Sequence, residues 1–519
     1  MPNIPITGMP DSYRVPGGYA EILFAQGAAS AALAGREVVI AMPKLASGTA
    51  VAGTLYAIGN EATAITLAGA GSPAHRACRR FLKCNKTQKL WLLGCDGSTG
   101  AGLTSATGTL TFTNVATGTG VATATICGEE CSISIASGDA VAAMASAMVL
   151  AVNARTHLPV TASAPGGGVV TLTAKLGGLS QGDNTTATIR IRATITAGIA
   201  TTFVAASAGV GLAPGVAGVD GAVTEPANLA TALAALDAVR KYYIVTSNPI
   251  ATSLTNLQTH VSNKSEPRPG LRSVGICAFN GALAACQTLA TARNYERLWL
   301  MWQRNSDDDP ASIAANVAAV ASKKFDVNPV YNFDSYTGSD WLVPPAFAVA
   351  DWPDDDDLND AINDGITPIA STTGASSIVM LCSTRSKTVA GGTIDDFRAT
   401  EAHRISGADY HVDQLLQTYA LRYSGKSLAS DKLLSDGTVD PNQRLASGVV
   451  TPATFKPWIR QIIRDDESKG VLQDADASIE SLRVERDPAN SGRLECGHDL
   501  HIVDLLHQAT FRVAEISEG

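Results

Sequence analysis

The 519-residue chain has few of the residue types that mark several common classes of protein. Aromatic residues make up 5% of the sequence and charged residues 17%, and Lys and Arg are scattered along the chain. Binding to nucleic acid depends on a basic surface that neutralises phosphates. A formal net charge of −9 without a basic cluster therefore argues against direct nucleic-acid binding.

Long apolar runs are also missing. The start, "MPNIPITGMPDSYRVPGG", has no charged segment followed by an apolar one, so we expect no secretory signal. The longest apolar run, residues 140–152, is shorter than the roughly 20 residues that cross a bilayer. We therefore expect synthesis in a cytoplasm and no membrane insertion.

The common catalytic motifs are absent as well. The sequence has no phosphate-binding G-x-x-x-x-G-K-[ST], no G-x-G-x-x-G after a strand and no G-x-S-x-G elbow. "GAGSPAHR" (69–76) could place a helix N-terminus at a phosphate, but the pattern is more typical of an ordinary connection, with Ser72 and Pro73 opening the helix. We expect no catalytic residue and no cofactor.

Three groups of polar residues were considered as metal ligands. The acidic runs 307–309 and 354–357 could supply oxygen ligands, but they lack EF-hand spacing, and we expect solvated, exposed loops. In "CGHDLH", His498 and His501 would point to opposite faces of a strand, which disfavours joint ligation with Cys496. The sequence therefore predicts no metal site.

The residue composition and the hydrophobic pattern change along the chain. Residues 98–215 are rich in Thr, Ala, Gly and Ser and alternate at period two between glycine turns, with one helical stretch. Before and after them, helices alternate with apolar strands such as "KLWLLGC" and "ERLWLMWQ", which predicts a mainly parallel, helix-covered sheet. The fold class is therefore α/β (α+β, multidomain), with a small β-rich domain inserted into the α/β domain.

Both chain ends look extended. "LHIVDLLHQATFRVAEISEG" reads as strand almost to the last residue, and "SYRVPGGYAEILFA" reads as an arm before the first core strand. A strand needs a partner for its backbone groups, and a terminal strand can find one on a neighbouring molecule. The predicted segments are an N-terminal arm (1–24), the first part of the α/β domain (25–97), the inserted domain (98–215), the rest of the α/β domain (224–350), a C-terminal core domain (351–493) and a C-terminal strand arm (494–519).

The order of these segments resembles the tail sheath proteins of contractile-tailed bacteriophages, in particular the Mu-like branch. The matching stretches include "RVPGGYAEI", "GNEATAITLAGAGSPAHRACRRFLKCNKTQKLWLLGC" and "GVVTPATFKPWIRQIIRDDES". The resemblance covers nearly the whole chain. It rests on segment order and texture, because the family has no invariant catalytic motif.

The resemblance implies a structural virion protein, assembled in the host cytoplasm, that stacks as six-subunit rings around a tail tube. Its contraction would drive the tube through the host envelope for genome ejection, with tube, baseplate and neck or tail terminator proteins as partners. The 351–493 domain would be the sheath core and the inserted domain would face outward. Arms exchanged between subunits would involve Tyr13, Val15, Tyr19, Ile22, Leu500, Ile502, Val503, Leu505, Phe511 and Val513.

Two further expectations concern contacts within the sheath. Lys456, Arg460 and Arg464 recur every fourth residue on a helix predicted from Pro452, and this basic stripe could contact the tube. The nine cysteines match no zinc-site spacing and are typical of buried thiols. A virion is nevertheless exposed to oxidising surroundings, so Cys127 and Cys131 could face each other across a hairpin, and Cys496 could reach a neighbour's thiol.

Two other readings stay open at this point. A sheath of a phage-derived contractile injector, pyocin-like or type VI, would use the same mechanics without delivering a genome. A Rossmann-like enzyme with a β insertion would explain the α/β region, but it leaves the missing phosphate loop and the strand-like chain ends unexplained.

Overall fold

The computed structural model describes residues 36–97, 105–177, 189–206, 229–247, 251–304, 306–325, 328–330, 352–371, 376–385 and 400–506. The chain divides into two compact units. We call Ala34–Val327 with Tyr336–Ile405 the sheet unit, and Met1–Leu33 with Asn328–Ser335 and Ser406–Gly519 the terminal unit.

An eight-stranded sheet organises the sheet unit. Its strands are β1 (Val38–Lys44), β2 (Leu55–Ile58), β3 (Leu90–Asp96), β11 (Tyr243–Val245), β12 (Val274–Asn280), β13 (Leu298–Gln303), β14 (Thr367–Ser371) and β15 (Ser376–Ile378). They lie in the order β15-β14-β13-β12-β11-β1-β3-β2. Pairing is parallel from β14 to β3, and the edge strands β2 and β15 are antiparallel. This confirms the predicted mainly parallel sheet.

The central strands are apolar runs because helices cover them. Every residue of β12 and β13 is buried, as expected of parallel strands with both faces covered. Strands β14 and β15 extend the sheet beyond residue 350. The helices of the unit are α1 (Glu61–Ala68), α2 (Pro73–Cys84), α4 (Leu229–Leu233, continued by a 3-10 turn Ala234–Leu236), α5 (Ala251–Ser265), α6 (Leu283–Arg293), α7 (Pro310–Phe325) and α8 (Asp355–Asn363).

The segment between β3 and β11 in the chain forms its own β structure. It contains β4 (Thr107–Thr113), β5 (Gly120–Ile126), β6 (Glu129–Ile135), α3 (Val141–Asn153), β7 (Val160–Gly166), β8 (Val169–Ala174), β9 (Ile191–Ile195) and β10 (Thr202–Ala206). The strands form an antiparallel four-stranded sheet, β10-β4-β8-β7, and a three-stranded sheet, β6-β5-β9. Alternate side chains of these strands pack with α3 in one apolar core. We call this region the inserted segment.

The terminal unit is built from helices and short strands. Its elements are α9 (Ala402–Arg422, whose first residues belong to the sheet unit), β16 (Ser427–Leu428), β17 (Val449–Val450), α10 (Pro452–Ser468), α11 (Ala475–Glu480), β18 (Arg483–Arg486) and β19 (Leu494–Gly497). Its core contains the aromatic pair Phe455 and Trp458 together with Ile459, Ile463 and Ile502. Among the described residues, both of its sheets have two strands.

Two local predictions about secondary structure are wrong. Residues 355–360, expected in an acidic loop, lie in α8, because acidic side chains in a first turn complement the helix dipole and the Asp354 side chain caps the helix. The described residues after β19 form no strand: Ile502 makes an isolated antiparallel bridge to Leu472. The other arm residues, Tyr13, Val15, Tyr19, Ile22, Phe511 and Val513, lie outside the described residues.

Candidate functional site

The start of α2, the weak phosphate-site candidate, already uses its backbone donors within the chain. The Ser72 side chain accepts from the His75 N–H at 3.0 Å, and the Gly71 N–H donates to His75 Nδ1 at 3.1 Å. Gly71 has φ +89°, and a Cβ there would lie 2.2 Å from the Leu158 carbonyl oxygen. Glycine at this position therefore allows close approach of the inserted segment and gives no support to a phosphate site.

The acidic run 307–309 is buried and paired with arginines, so the expectation of a solvated loop is wrong. Each carboxylate has its own guanidinium partner: Arg192 Nε to Asp307 at 2.6 Å, Arg80 Nη2 to Asp308 at 2.6 Å and Arg76 Nη2 to Asp309 at 2.8 Å. Buried carboxylates in proteins are retained where such partners compensate for lost hydration.

These six residues, which we call the junction cluster, connect three parts of the sheet unit. Arg76 and Arg80 are four residues apart on one face of α2, Arg192 lies on β9, and the three aspartates precede α7. Asp309 also accepts from the Ser312 N–H at 3.2 Å at the start of α7. The cluster therefore fastens the inserted segment and α2 to the N-terminus of α7.

A second set of charges lies at the same junction. Arg79 contacts Glu129 of β6 at 2.6 Å and Glu61 of α1 at 3.1 Å, and His157 lies 3.4 Å from Glu129. The His157 hydrogen bond and then Arg79 hold the pKa of Glu129 below its ordinary value, although burial opposes the shift. Burial, then Arg79, lowers the pKa of His75 to about 4.

The nine cysteines are free thiols. Cys127 and Gly128, with φ +47° and +75°, form the two-residue turn between β5 and β6, and the register places Cys131 opposite Ala124. Cys127 and Cys131 thus do not face each other as predicted, because the turn is centred on Cys127 itself. Burial raises the pKa of Cys127 to about 11 and that of Cys496 to about 12, which suppresses the reactive thiolate.

In the terminal unit, α10 has the two faces that its sequence predicts. Thr451 and Thr454 form a capping box at its start, and Trp458, Ile459, Ile462 and Ile463 are buried. Arg460 and Arg464 are exposed and Lys456 is half-buried. Arg464 is 2.9 Å from Asp476 of α11, an exposed ion pair. The basic stripe therefore exists on the outer face of the helix, and tube contact stays a prediction.

Strands β18 and β19 form an antiparallel hairpin with Val484 opposite Cys496 and Glu485 opposite Glu495. The Asp487 N–H donates to the Arg493 carbonyl at 3.0 Å, so Asp487 and Arg493 form a hydrogen-bonded pair. In an antiparallel pair, hydrogen-bonded and non-hydrogen-bonded residue pairs alternate along the strands. By this alternation, the N–H groups of Val484 and Arg486 point away from β19. The outer edge of β18 thus offers backbone groups of the kind that a further strand pairs with.

The chain after β19 is held against the terminal unit's core. Leu500 and Ile502 are buried, Val503 and Leu505 are half-buried, and His501 and Leu506 are exposed. The Gln473 N–H donates to the His501 carbonyl at 2.8 Å, and the Val503 N–H donates to the Val471 carbonyl at 3.1 Å. The His498 ring contacts His411, while His501 lies away from it in solvent.

Within the described ranges, the structure holds neither a cluster of metal ligands nor a membrane-spanning helix. Within those ranges, three or more His, Cys, Asp or Glu side chains never come together as a metal site would require. Across the same part of the chain, each helix is too short or too polar to cross a membrane.

Comparison with known proteins gives one relative along nearly the whole chain. The tail sheath protein of the Mu-like prophage FluMu from Haemophilus influenzae is 24% identical over 499 residues, which cover 95% of this chain and 95% of the relative. This confirms the resemblance to Mu-like tail sheath proteins. No family model matches the chain.

Among solved structures, this chain is similar to the crystal structure of a sheath tail protein from Desulfitobacterium hafniense. The alignment covers 93% of this chain and 98% of the Desulfitobacterium chain. The TM-score is 0.45 and the sequence identity 13%.

Proposed function

We propose that this protein is the structural subunit of a contractile phage tail sheath. The full-length similarity to a Mu-like prophage tail sheath protein is the observation that carries the proposal. In this proposal the subunits stack as six-membered rings around a tail tube in the virion, and contraction drives the tube through the host envelope.

Assembly would depend on strands shared between copies. The hairpin β18–β19 has two strands among the described residues, and Val484, Leu494 and Cys496 pack against the core of the terminal unit, which fixes the hairpin with N–H groups of β18 directed away from β19. A strand from a neighbour's terminal arm, added along β18, would complete it by β-augmentation. Because such contacts are head-to-tail, they need not close and can continue as a helical array.

The tube would lie against the outer face of α10. Lys456, Arg460 and Arg464 supply a positive stripe there, supported from behind by buried residues of the same helix. Contacts between exposed charges are weak one at a time, which suits a surface that must slide during contraction.

The proposal is tested by negative-stain electron microscopy of the overexpressed full-length protein beside a variant that lacks residues 507–519, which keeps Leu500 and Ile502 in the core of the terminal unit. We expect hollow six-fold tubes from the full-length chain and soluble, folded monomers from the truncated one. Tubes from both proteins would refute the role of the C-terminal arm. Monomers from the full-length chain, even after addition of purified tail tubes, would refute the sheath function.

A further inference from the structure

A chain of three buried or half-buried polar side chains crosses the terminal unit. His411 of α9 has its Nδ1 3.0 Å from Asp466 Oδ2 of α10. Its Nε2 is 2.9 Å from the Nε2 of His498, the first residue after β19. The side chains of His411 and Asp466 are about 1% exposed or less, so water does not replace these contacts.

The contacts determine where the protons lie. Gln414 donates to the second oxygen of Asp466 at 2.9 Å, so both carboxylate oxygens act as acceptors. His411 therefore carries its proton on Nδ1, and its Nε2 is an acceptor. The contact between the two rings then requires the proton of His498 to be on Nε2, because neutral imidazole has one donor and one acceptor nitrogen.

We propose that Asp466, His411 and His498 form an acid-sensitive clasp that fastens the segment 498–506 to α9 and α10 and releases it when both imidazoles are protonated. A first added proton is tolerated, since an imidazolium at His411 can donate to Asp466 and to the free nitrogen of His498. A second proton places N–H groups on both facing nitrogens. The contact then has two donors, no acceptor and two adjacent positive charges.

The second cation in contact with the carboxylate of the clasp does not offset the second proton. Lys469 Nζ, just after α10, is 3.9 Å from Asp466 Oδ1 and adds positive charge. On the segment of His498 itself, Glu495 is paired with Arg493 at 2.9 Å, Cys496 is a neutral thiol and Asp499 is exposed. One buried carboxylate thus faces two imidazoles and a lysine.

The clasp should weaken as the pH falls, because the folded protein favours the neutral form of His498. Burial, and then the neighbouring His411, lowers the pKa of His498 from its ordinary value of about 6.5 to about 3. The clasp's contribution to stability is therefore present above pH about 6.5 and is lost progressively as the pH falls toward the lower value.

The clasp rests on the proposed function and deepens it, because residues 498–506 lie within the predicted C-terminal arm (494–519). Beyond His498 the segment is held by Leu500 and Ile502 in the core and by two backbone hydrogen bonds to residues 471–473. Opening the clasp would loosen the attachment nearest to β19 first. An arm that is fastened at neutral pH and loosened in acid would make arm exchange dependent on pH.

Hydrogen–deuterium exchange by mass spectrometry of the unassembled full-length protein tests this directly. Exchange in peptides spanning 496–506, corrected for the intrinsic pH dependence, should rise at least about tenfold between pH 7.5 and pH 4.5, equivalent to about 1.4 kcal/mol. His498→Gln keeps a donor for His411 but does not titrate, so its protection should persist. His501→Gln, an exposed histidine three residues away, should behave as the wild type.

Three results would contradict the proposed clasp. Loss of protection in His498→Gln at the same pH as in the wild type would overturn it, as would wild-type exchange that does not change with pH. His498→Ala should lose protection about tenfold already at pH 7.5, and full protection there would also overturn it. If His498→Ala does not fold, the glutamine variant still decides. Because the readout needs no polymer, failure of the clasp is distinguishable from failure of the sheath function.

Discussion

The sheet unit and the terminal unit complete their β structure to different degrees. In the sheet unit, β12 and β13 lie inside an eight-stranded sheet and are buried along their whole length. In the terminal unit, the described strands form sheets of two. Among the described residues, the sheet unit thus pairs its interior strands within one chain, whereas the terminal unit has the two-stranded hairpin β18–β19, whose outer edge a further strand could join. The proposed exchange of strands between copies therefore concerns the terminal unit.

The charged side chains of the two units also differ in how completely they are paired. The junction cluster of the sheet unit pairs three aspartates one-to-one with three arginines, an arrangement suited to rigidity. The clasp of the terminal unit joins one carboxylate to two titratable rings, an arrangement that can open. Rigid bodies connected through movable segments are what large rotations between subunits require.

The largest predicted effect comes from breaking the junction cluster. Asp309→Ala leaves the buried Arg76 without its carboxylate and removes the cap of α7, so the free energy of unfolding of the sheet unit should fall by about 3–5 kcal/mol. Denaturant unfolding followed by the fluorescence of the buried Trp299 and Trp302 measures this. Asp360→Ala, on the exposed side of α8, should change it by less than about 0.5 kcal/mol. Equal effects of the two variants would contradict the role of the cluster.

The next effect concerns His75, which must stay neutral to accept from the Gly71 N–H. His75→Leu should cost about 1–3 kcal/mol at pH 7.5, because it leaves that buried donor unpaired. In the wild type the folded pKa is lowered to about 4, so this stabilisation should be lost as the pH falls from 6.5 toward 4.

Thermal melts across that pH range should therefore show the wild type approaching His75→Leu in acid. His75→Asn, whose side-chain oxygen can accept in place of Nδ1, serves as the control and should change less with pH. A constant difference between the wild type and His75→Leu at every pH would contradict the assignment.

Substitution of Val484 on β18 should change the free energy of unfolding less than the preceding variants do. Its main effect should be on assembly. Val484→Pro removes an N–H that points away from β19, so the hairpin keeps its own hydrogen bonds while strand addition is blocked. Val484→Ala loses similar packing but keeps the N–H. Electron microscopy should show tubes from the alanine variant and none from the proline variant. Tubes from both would exclude the β18 edge as the receiving site.

The smallest effect on stability is expected on α10. Reversing Arg460 and Arg464 to Glu should change the free energy of unfolding by about 0.5 kcal/mol or less, because both are exposed and the Arg464–Asp476 ion pair is solvated. Co-assembly with purified tail tubes, measured by co-sedimentation, should nevertheless decrease. Arg444→Glu, an exposed arginine elsewhere in the terminal unit, is the matched control. Unchanged co-sedimentation of the double variant would remove α10 from the tube interface.

Local patterns predicted much of the sheet unit. The strands β3, β12 and β13 are apolar runs of the right length, and α2 begins with the Ser72–Pro73 signature of a helix start. The acidic run at the start of α8 favours solvent exposure in the sequence, but acidic residues are also favoured in a first helical turn, so the run alone does not distinguish a loop from a helix start.

The charged networks could not be predicted from local sequence. Arg76 and Asp309 are far apart in the chain, as are His411 and His498, and the fold brings each pair together. A partial signal existed in the spacing of Arg76 and Arg80, which places two arginines on one face of a helix whose other residues are largely apolar. Burial of the three aspartates needed the sheet topology as well, since α7 and β9 position both sides of the cluster.

The most direct test of the account is a cryo-electron microscopy map of the assembled protein that resolves the surroundings of β18. We expect a third strand beside β18 that comes from a terminal arm of a neighbouring copy. A map in which β18 pairs with its own chain alone, and copies contact one another through their sheet units, would contradict it.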